Sequence, residues 1–173
     1  MLRWGLVPHW TTDLSIGNRM INARGETVAE NPAFRQAFKR RRCIVPASGF
    51  YEWAQSRAGK WPYFISMQDG SAMSFAGLWE HWRGDDDKAV ESCTIITIAA
   101  SGRLAEIYAR MPVLLTASSF DAWLDPQTPR ETCLALLEST AERGVDIRPV
   151  GRAVNSPRND TAELVEQVEI PAG

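Results

Sequence analysis

The chain has 173 residues, of which 45% are hydrophobic and 23% are charged, a composition typical of a globular protein. A chain of this length can bury a hydrophobic core without disulfides or structural metals. The formal net charge of −2 argues against a uniformly basic nucleic-acid-binding domain, although a local basic groove is compatible with it.

In chain order, the first regular element that the sequence predicts is a helix at 31–38. Asn31 is a favourable N-cap and Pro32 suits the first helical position, while Phe34 and Phe38 lie four residues apart on one helix face. Further helices are predicted at 116–124, 129–138 and 161–166.

Strand signals dominate the middle of the chain. Apolar runs rich in aromatic and β-branched residues, bounded by Gly, Pro or Asp, occur at 42–46, 49–54, 61–67, 73–82 and 92–100, with further candidates at 111–115 and 145–150. Asp69-Gly70 predicts a hairpin turn, and the polar stretch 83–88 predicts a solvated loop rather than a metal site. These elements predict an α+β fold, a curved, largely antiparallel β-sheet or barrel with peripheral helices.

The cysteines and histidines show neither disulfide nor metal-ligand spacing. Cys43, Cys93 and Cys133 are odd in number and far apart, and His9 and His81 are the only histidines. We therefore expect free thiols in a reducing, cytoplasmic setting, with no metal and no cofactor. The sequence has no apolar run of about 18–20 residues and no signal-peptide core, so we also expect no membrane partner.

Seven tryptophans are a high number for this length. Packing of the core is the ordinary use of such residues, stacking platforms for unpaired bases are the alternative, and composition alone does not decide between them. Trp4 and Trp10 flank a turn shaped by Gly5 and Pro8, an arrangement that is compatible with a stacking wedge.

Glu52 is the candidate acid or base of the sequence 49–53 (GFYEW). In a strand, Glu52 shares a face with Phe50 and Ala54. If that face is apolar, desolvation raises the pKa of the carboxyl and suits it to general acid–base chemistry near neutral pH. If Tyr51 and Trp53 form the apolar face instead, Glu52 points to water. Periodicity leaves both alternatives open.

Asn22-Ala23-Arg24 follows an apolar pair. If this segment is extended, Asn22 and Arg24 project to one side and present an amide beside a guanidinium, a pairing that suits a phosphate and a sugar or base edge. The alternative is a surface arginine paired with Glu26 or Glu30.

Two further positions allow more than one interpretation. Arg110, before Met111-Pro112, is either a phosphate clamp or a charge at a helix C-terminus. Cys43 suits a small buried side chain better than a nucleophile.

Taken together, these segments resemble the SOS-response-associated peptidase (SRAP) family, whose members are abasic-site processing proteins. The resemblance covers essentially the whole chain in eight ordered segments: 4–8 (WGLVP), 21–27 (INARGET), 42–46 (RCIVP), 49–53 (GFYEW), 76–79 (AGLW), 94–97 (TIIT), 107–112 (IYARMP) and 149–155 (PVGRAVN).

The resemblance implies a single SRAP-like domain over residues 1–173 that recognises abasic sites in single-stranded DNA, as a cytoplasmic protein that is nucleoid-associated when bound. Full-length family members cross-link the site through an N-terminal cysteine, whose amine and thiol form a thiazolidine with the ring-opened aldehyde. The catalytic positions implied are Asn22, Glu52, Thr97 and Tyr108. The DNA-binding positions implied are Trp4, Pro8, Arg24, Trp53, Arg110, Met111 and Arg152.

Two departures from the family pattern affect the chemistry. The family's Met-Cys-Gly-Arg opening lies upstream of the Trp4-Gly5 segment, so we expect either a truncated or misassigned start or a shortened form. The family's Ile-His-Asp-Arg-Met-Pro motif has Tyr108 at the His position. A phenol, which ordinarily titrates near a pKa of ~10, is a poor proton shuttle at neutral pH.

The departures keep two other hypotheses open. One is a catalytically inactive single-stranded-DNA-binding module, and the other is a peptidase that uses Cys43 or Glu52 on other proteins. The scarcity of histidines argues against a Cys–His pair and therefore against the peptidase. The sequence leaves the protein partners unknown.

Overall fold

The computed structural model describes residues 2–56, 59–84, 88–139 and 144–171. The chain divides into two compact units, each assembled from three separate stretches. The first unit comprises Met1–Pro46, Ser74–Ile98 and Pro112–Thr140, and the second comprises Ala47–Met73, Ala99–Met111 and Ala141–Gly173. The expectation of a single domain stays a prediction.

Short strands and shorter helices make up both units. The strands are β1 (Arg3–Trp4), β2 (Asn22–Arg24), β3 (Arg42–Ala47), β4 (Phe50–Ser56), β5 (Gly59–Met67), β6 (Met73–Arg83), β7 (Ala89–Ala99), β8 (Arg110–Pro112) and β9 (Val145–Pro149). The α-helices are α1 (Arg35–Arg40), α2 (Phe120–Leu124) and α3 (Arg130–Glu138). Five 3-10 helices lie at Leu14–Arg19, Gly102–Glu106, Ala117–Ser119, Arg152–Asn155 and Ala162–Val165.

The first unit is built on a mixed sheet in which β7 is central. β6 runs antiparallel to β7, from Gly77 opposite Ile95 to Arg83 opposite Ala89, and β3 pairs with β6. The short strands β1 and β2 pair in parallel with β7, one after the other along its length. β8 extends this sheet where the chain enters the first unit, and the next residue, Val113, donates its N–H to the Ile96 carbonyl at 2.9 Å.

The helices of the first unit pack their apolar sides into one core with this sheet. Ala37 and Phe38 of α1, Trp123 of α2, and Cys133 and Leu137 of α3 are all buried there. The large side chains among these, such as Phe38 and Leu137, contribute about 1.5–3 kcal/mol each through burial. The core therefore holds three short helices that would not be stable alone.

Arg42 joins two of these helices through a buried guanidinium. Its side chain is 7% exposed and donates to the Phe38 carbonyl at 2.7 Å and to the Trp123 carbonyl at 2.6 Å, at the ends of α1 and α2. It also donates to the carbonyls of Lys39 and Asp125. A single side chain thus satisfies carbonyls that the helix ends leave without partners.

The second unit contains an antiparallel sheet in the order β4-β5-β9. The connection after β5 is a tight turn, in which Gly70 has a φ of 74° and Asp69 Oδ1 accepts from the Ser71 N–H at 2.9 Å. On the sheet, Arg148 lies over the Phe64 ring at 5.1 Å from its centroid.

The structure confirms the α+β class and the predicted strands 42–46, 49–54, 61–67, 73–82, 92–100, 111–115 and 145–150, with shifted ends. The turn at Asp69-Gly70 is also confirmed. Sequence patterns missed β1 and the parallel pairing of β2, because strands of two and three residues carry no periodicity. Of the predicted polar loop 83–88, residues 85–87 lie outside the described residues.

The helix predicted at 31–38 begins later, at Arg35, and ends at Arg40. Asn31 does accept a backbone hydrogen bond through its side chain, from the Ala33 N–H at 2.9 Å, but it closes a turn that precedes the helix. The predicted helix 116–124 splits into a 3-10 turn and α2, whereas 129–138 matches α3 within one residue. The predicted 161–166 is a 3-10 helix.

Replacing Arg42 by methionine should destabilise the protein by about 3 kcal/mol or more, because the carbonyls at the ends of α1 and α2 lose their donor. Arg40→Met is the matched control, since Arg40 is exposed on α1 and surface changes stay within about 0.5 kcal/mol. Urea unfolding of both variants measures the difference. Equal unfolding midpoints would show that Arg42 does not hold the two helices together.

Candidate functional site

Trp4 lies on β1 and is 58% exposed. The indole Nε1–H donates to the Ile21 carbonyl at 2.8 Å, which holds the ring beside the start of β2. Gly5 follows with a φ of 116°, and a Cβ at this position would lie 2.4 Å from the Gly17 carbonyl oxygen. Glycine is therefore required directly after the exposed ring.

Asn22 and Arg24 are exposed on β2, whereas Ala23 between them is fully buried. This alternation confirms the prediction that the amide and the guanidinium project to one side of an extended segment. Arg24 lies opposite Thr97 in the parallel pairing with β7, and Thr97 is 8% exposed. The first unit thus brings Trp4, Asn22, Arg24 and Thr97 to neighbouring positions on β1, β2 and β7.

The guanidinium of Arg24 forms no ion pair within the described ranges. Glu30, one of its two candidate partners, instead lies 3.3 Å from the Arg130 guanidinium. The alternative of a structural surface pair for Arg24 therefore has no support. An exposed and uncompensated guanidinium is well suited to bind phosphate in a bidentate manner.

The turn after β1 exposes a second aromatic ring, that of Trp10, at 54%. Pro8, predicted to contact DNA, is buried, so its contact with a ligand stays an untested prediction. The seven tryptophans differ in their exposure to solvent. Two are exposed, Trp4 and Trp10; three are buried, Trp61, Trp82 and Trp123; and two are half-buried, Trp53 and Trp79.

Glu52 is half-buried on β4, where it lies opposite Tyr63 of β5. It shares a strand face with Ala54, which is 7% exposed. Burial raises the pKa of Glu52, and the Trp53 backbone N–H and the Lys60 charge oppose this shift only in part. The raised pKa agrees with a partly desolvated carboxyl. Residues 50–53 are half-buried on both faces of the strand, however, so which face is the apolar one stays a prediction.

The 3-10 helix Arg152–Asn155 contacts two tryptophans of the second unit. The Trp53 indole N–H donates to Asn155 Oδ1 at 2.8 Å, and the Arg152 guanidinium lies 4.5 Å from the Trp61 ring centroid. Sequence reasoning singled out neither Asn155 nor Trp61 as a partner. The one pointer to Asn155 in the sequence is its place at the end of the segment 149–155. Its contact with Trp53 could not be predicted from the sequence, because the two residues are 102 positions apart in the chain.

The segment 107–112 holds three predicted site residues in different environments. Tyr108 is 47% exposed and Arg110 is half-buried. Met111 is 1% exposed, and the Ser101 hydroxyl lies 3.9 Å from its sulfur. Because burial removes Met111 from the surface, its contact with DNA stays an untested prediction. Among the described residues, no hydrogen bond joins Tyr108 to Glu52.

Cys43 is poorly suited to act as a nucleophile. Burial, with a smaller contribution from the charge of Cys93, raises the pKa of the Cys43 thiol to about 12. The thiol is therefore protonated at neutral pH, whereas nucleophilic attack needs the thiolate. This supports the interpretation of Cys43 as a small buried side chain and weakens the peptidase hypothesis.

The described part of the chain has three free cysteines. No group of three or more His, Cys, Asp or Glu residues in the described ranges could hold a metal ion. In the same ranges, no helix has the length and apolar character needed to cross a membrane.

Comparison with known sequences matches the family model "SOS response associated peptidase (SRAP)" over residues 1–157. The chain is similar to the abasic site processing protein YoqW of Bacillus subtilis, with 40% identity over 167 residues, covering 95% of this chain and 75% of that protein. It is also similar to the abasic site processing protein HMCES of Gallus gallus, with 29% identity over 194 residues, covering 98% of this chain and 57% of that protein.

Comparison with solved structures agrees with the sequence match. A crystal structure of a protein from Bacteroides thetaiotaomicron superposes with a TM-score of 0.88 and 29% identity, covering 97% of this chain and 76% of that protein. A match to the family model over most of the chain and a relative at 40% identity have the same consequence: the chain belongs to the SOS response associated peptidase (SRAP) family.

Proposed function

We propose that the protein processes abasic sites in single-stranded DNA. The observation that carries this proposal is the exposed group of Trp4, Asn22 and Arg24 on β1 and β2, in a chain whose relatives are named abasic site processing proteins. A ring, an amide and a guanidinium on one surface match the three parts of an unpaired nucleotide strand: base, sugar and phosphate.

Each of these side chains contributes a different interaction. A base stacked on the Trp4 ring contributes about 1–3 kcal/mol in single-strand binding. The Arg24 guanidinium binds a phosphate through charge-assisted hydrogen bonds. The Asn22 amide can both donate and accept, which suits the hydroxyl and carbonyl groups of a ring-opened sugar. Base identity plays no part in these contacts, as expected for a site that recognises a missing base.

The covalent step that we propose needs an N-terminal cysteine upstream of Met1. Its unprotonated amine attacks the aldehyde carbon of the abasic sugar, and loss of water leaves an imine. The thiol then adds across the imine carbon, its proton moves to nitrogen, and the product is a thiazolidine. Atoms balance with water as the only leaving group, and no oxidant or cofactor is required.

Glu52 is the group that we propose moves protons in this sequence. Its raised pKa makes the neutral acid more abundant near neutral pH than an ordinary carboxyl would be. It can therefore give a proton to the departing water and accept one from the thiol. Tyr108, at the family His position, can donate a hydrogen bond but is a weaker proton carrier than imidazole.

A gel assay with single-stranded DNA that carries one abasic site tests the proposal. A polypeptide that begins at Met1 has no aminothiol, so we expect a band shift in native gels and no heat-stable adduct. The same chain preceded by a segment whose first residue is cysteine should give an adduct that survives denaturation. A heat-stable adduct formed by the Met1 polypeptide without borohydride would contradict this chemistry. A native shift with both polypeptides and no adduct with either would indicate a binding module.

Arg24→Ala should weaken binding to abasic single-stranded DNA and make it less sensitive to salt. Each phosphate neutralised contributes a slope of about −0.7 in log K against log salt. Arg158→Ala is the matched control, since Arg158 is exposed and also forms no ion pair within the described ranges. Fluorescence anisotropy over a salt series measures both slopes. Unchanged affinity and slope for Arg24→Ala would remove this residue from the proposed interface.

The carboxyl of Glu52 should titrate above the ~4.3 of a solvated glutamate in a short peptide, because its burial favours the neutral form. The family resemblance implies that residue 108 shares a pocket with Glu52, so Tyr108→His should lower that pKa, because an imidazolium in that pocket favours the ionised carboxyl. Tyr108→Phe is the control that changes the ring without adding a charge. Carboxyl-carbon NMR titration measures all three proteins. If Glu52 titrates near ~4.3 in the unmodified chain, it is solvated and its proposed role is wrong.

A further inference from the structure

The segment Arg35–Arg42 concentrates positive charge in a chain with a net charge of −2. Its sequence is RQAFKRRR, so five of its eight residues are cationic. Ala37 and Phe38 point into the core, whereas Arg35, Lys39 and Arg40 are exposed. None of these three exposed cations forms an ion pair within the described ranges. Such uncompensated charge on one short helix attracts a polyanion.

A hollow of about 620 Å³ opens between α1 and the turn before α3. Its walls carry the cations Arg35, Lys39 and Arg130, together with polar side chains of Gln36 and Thr128. Two carboxylates lie close by. Glu30 is 3.3 Å from Arg130, but both side chains are largely exposed, so the pair is weak. Asp125 is engaged by the Gln127 N–H at 2.9 Å.

The buried Arg42 adds a fourth cation to the wall of this hollow. All of its hydrogen bonds within the described residues go to backbone carbonyls, and no carboxylate neutralises it. The carbonyl dipoles satisfy its donors but leave a net charge in a region of low dielectric. Its field therefore extends into the hollow and favours an anion there.

A second hollow, of about 390 Å³, is also lined by residues of α1. It is lined by His9, Arg40, Arg41, His81 and the buried Glu80, and it shares Gln36 with the first hollow. Glu80 accepts a hydrogen bond from Arg41 at 2.7 Å, and its carboxylate lies 3.3 Å from His9 Nδ1. This hollow therefore holds one carboxylate together with two arginines and two histidines.

The two hollows are adjacent along α1, because Gln36 lines both, and together they offer one path beside this helix. His9 follows Pro8 and its side chain lines the second hollow, while Gln36 connects that hollow to the first. The second hollow is therefore lined by a residue of the chain segment that follows Trp4. An extended row of cations fits a chain of phosphates better than it fits one small anion, which would occupy a single hollow.

We propose that this path around α1, which we call the α1 track, binds the phosphodiester backbone of the DNA strand beyond the lesion. The inference rests on the proposed function for its ligand. It adds a second phosphate-binding surface whose residues are Arg35, Lys39, Arg40 and Arg130. The track takes any sequence, because its contacts are charges and none of them reaches a base.

The test is the double variant Arg35→Gln/Lys39→Gln, which removes two exposed cations of the track. Its control is Arg83→Gln/Arg158→Gln, which makes the same change in net charge at exposed residues outside the track. Salt titrations use two probes, a long undamaged single strand and a short abasic strand that spans only the lesion. Circular dichroism melting shows that both variants keep the fold.

On the long strand, the track variant should lose affinity, and its slope of log K against log salt should become smaller by about 1.4, since two phosphate contacts disappear. On the short abasic strand it should behave as the unmodified chain. Equal slopes for the track and control variants on the long strand would overturn the α1 track. If the unmodified chain does not bind the short abasic strand, the proposed function is overturned instead. The two failures are therefore distinguishable.

Discussion

Strands β1 and β2 both pair in parallel with β7, one after the other along its length, and the candidate interface of the first unit depends on this pairing. The Gly5 N–H donates to the Cys93 carbonyl at 2.8 Å, and the Gly25 N–H donates to the Thr97 carbonyl at the same distance. Because these hydrogen bonds are formed by backbone atoms, the positions of Trp4 and Arg24 on the sheet do not depend on contacts of their own side chains. Strands of two and three residues have no stability of their own, so β7 supplies the order that the interface needs.

Charge is arranged locally in a chain that is nearly neutral overall. Arg24 and the exposed cations of α1 have no carboxylate partner within the described residues, whereas Arg41 is held by the buried Glu80. With a net charge of −2, the surface as a whole does not attract polyanions. Binding of DNA would therefore be confined to the surfaces where cations stand uncompensated, and it would be sensitive to salt there.

Burial has opposite chemical consequences for the two candidate catalytic groups. It raises the pKa of the Glu52 carboxyl toward neutrality, which makes that group a better proton donor and acceptor at physiological pH. It raises the pKa of the Cys43 thiol to about 12, which removes the thiolate that a cysteine peptidase needs. The same desolvation thus supports acid–base chemistry in the second unit and argues against nucleophilic chemistry at Cys43.

The sequence by itself determined the α+β class and most strands, because runs such as Trp61–Met67 carry aromatic and β-branched residues between turn signals. It also determined the family, through ordered motifs along the chain. It could not determine that α1 starts at Arg35, that β2 pairs with β7, or that Arg42 joins α1 to α2. Those facts depend on hydrogen bonds and burial between residues far apart in the chain, and only the tertiary structure decides which distant groups meet.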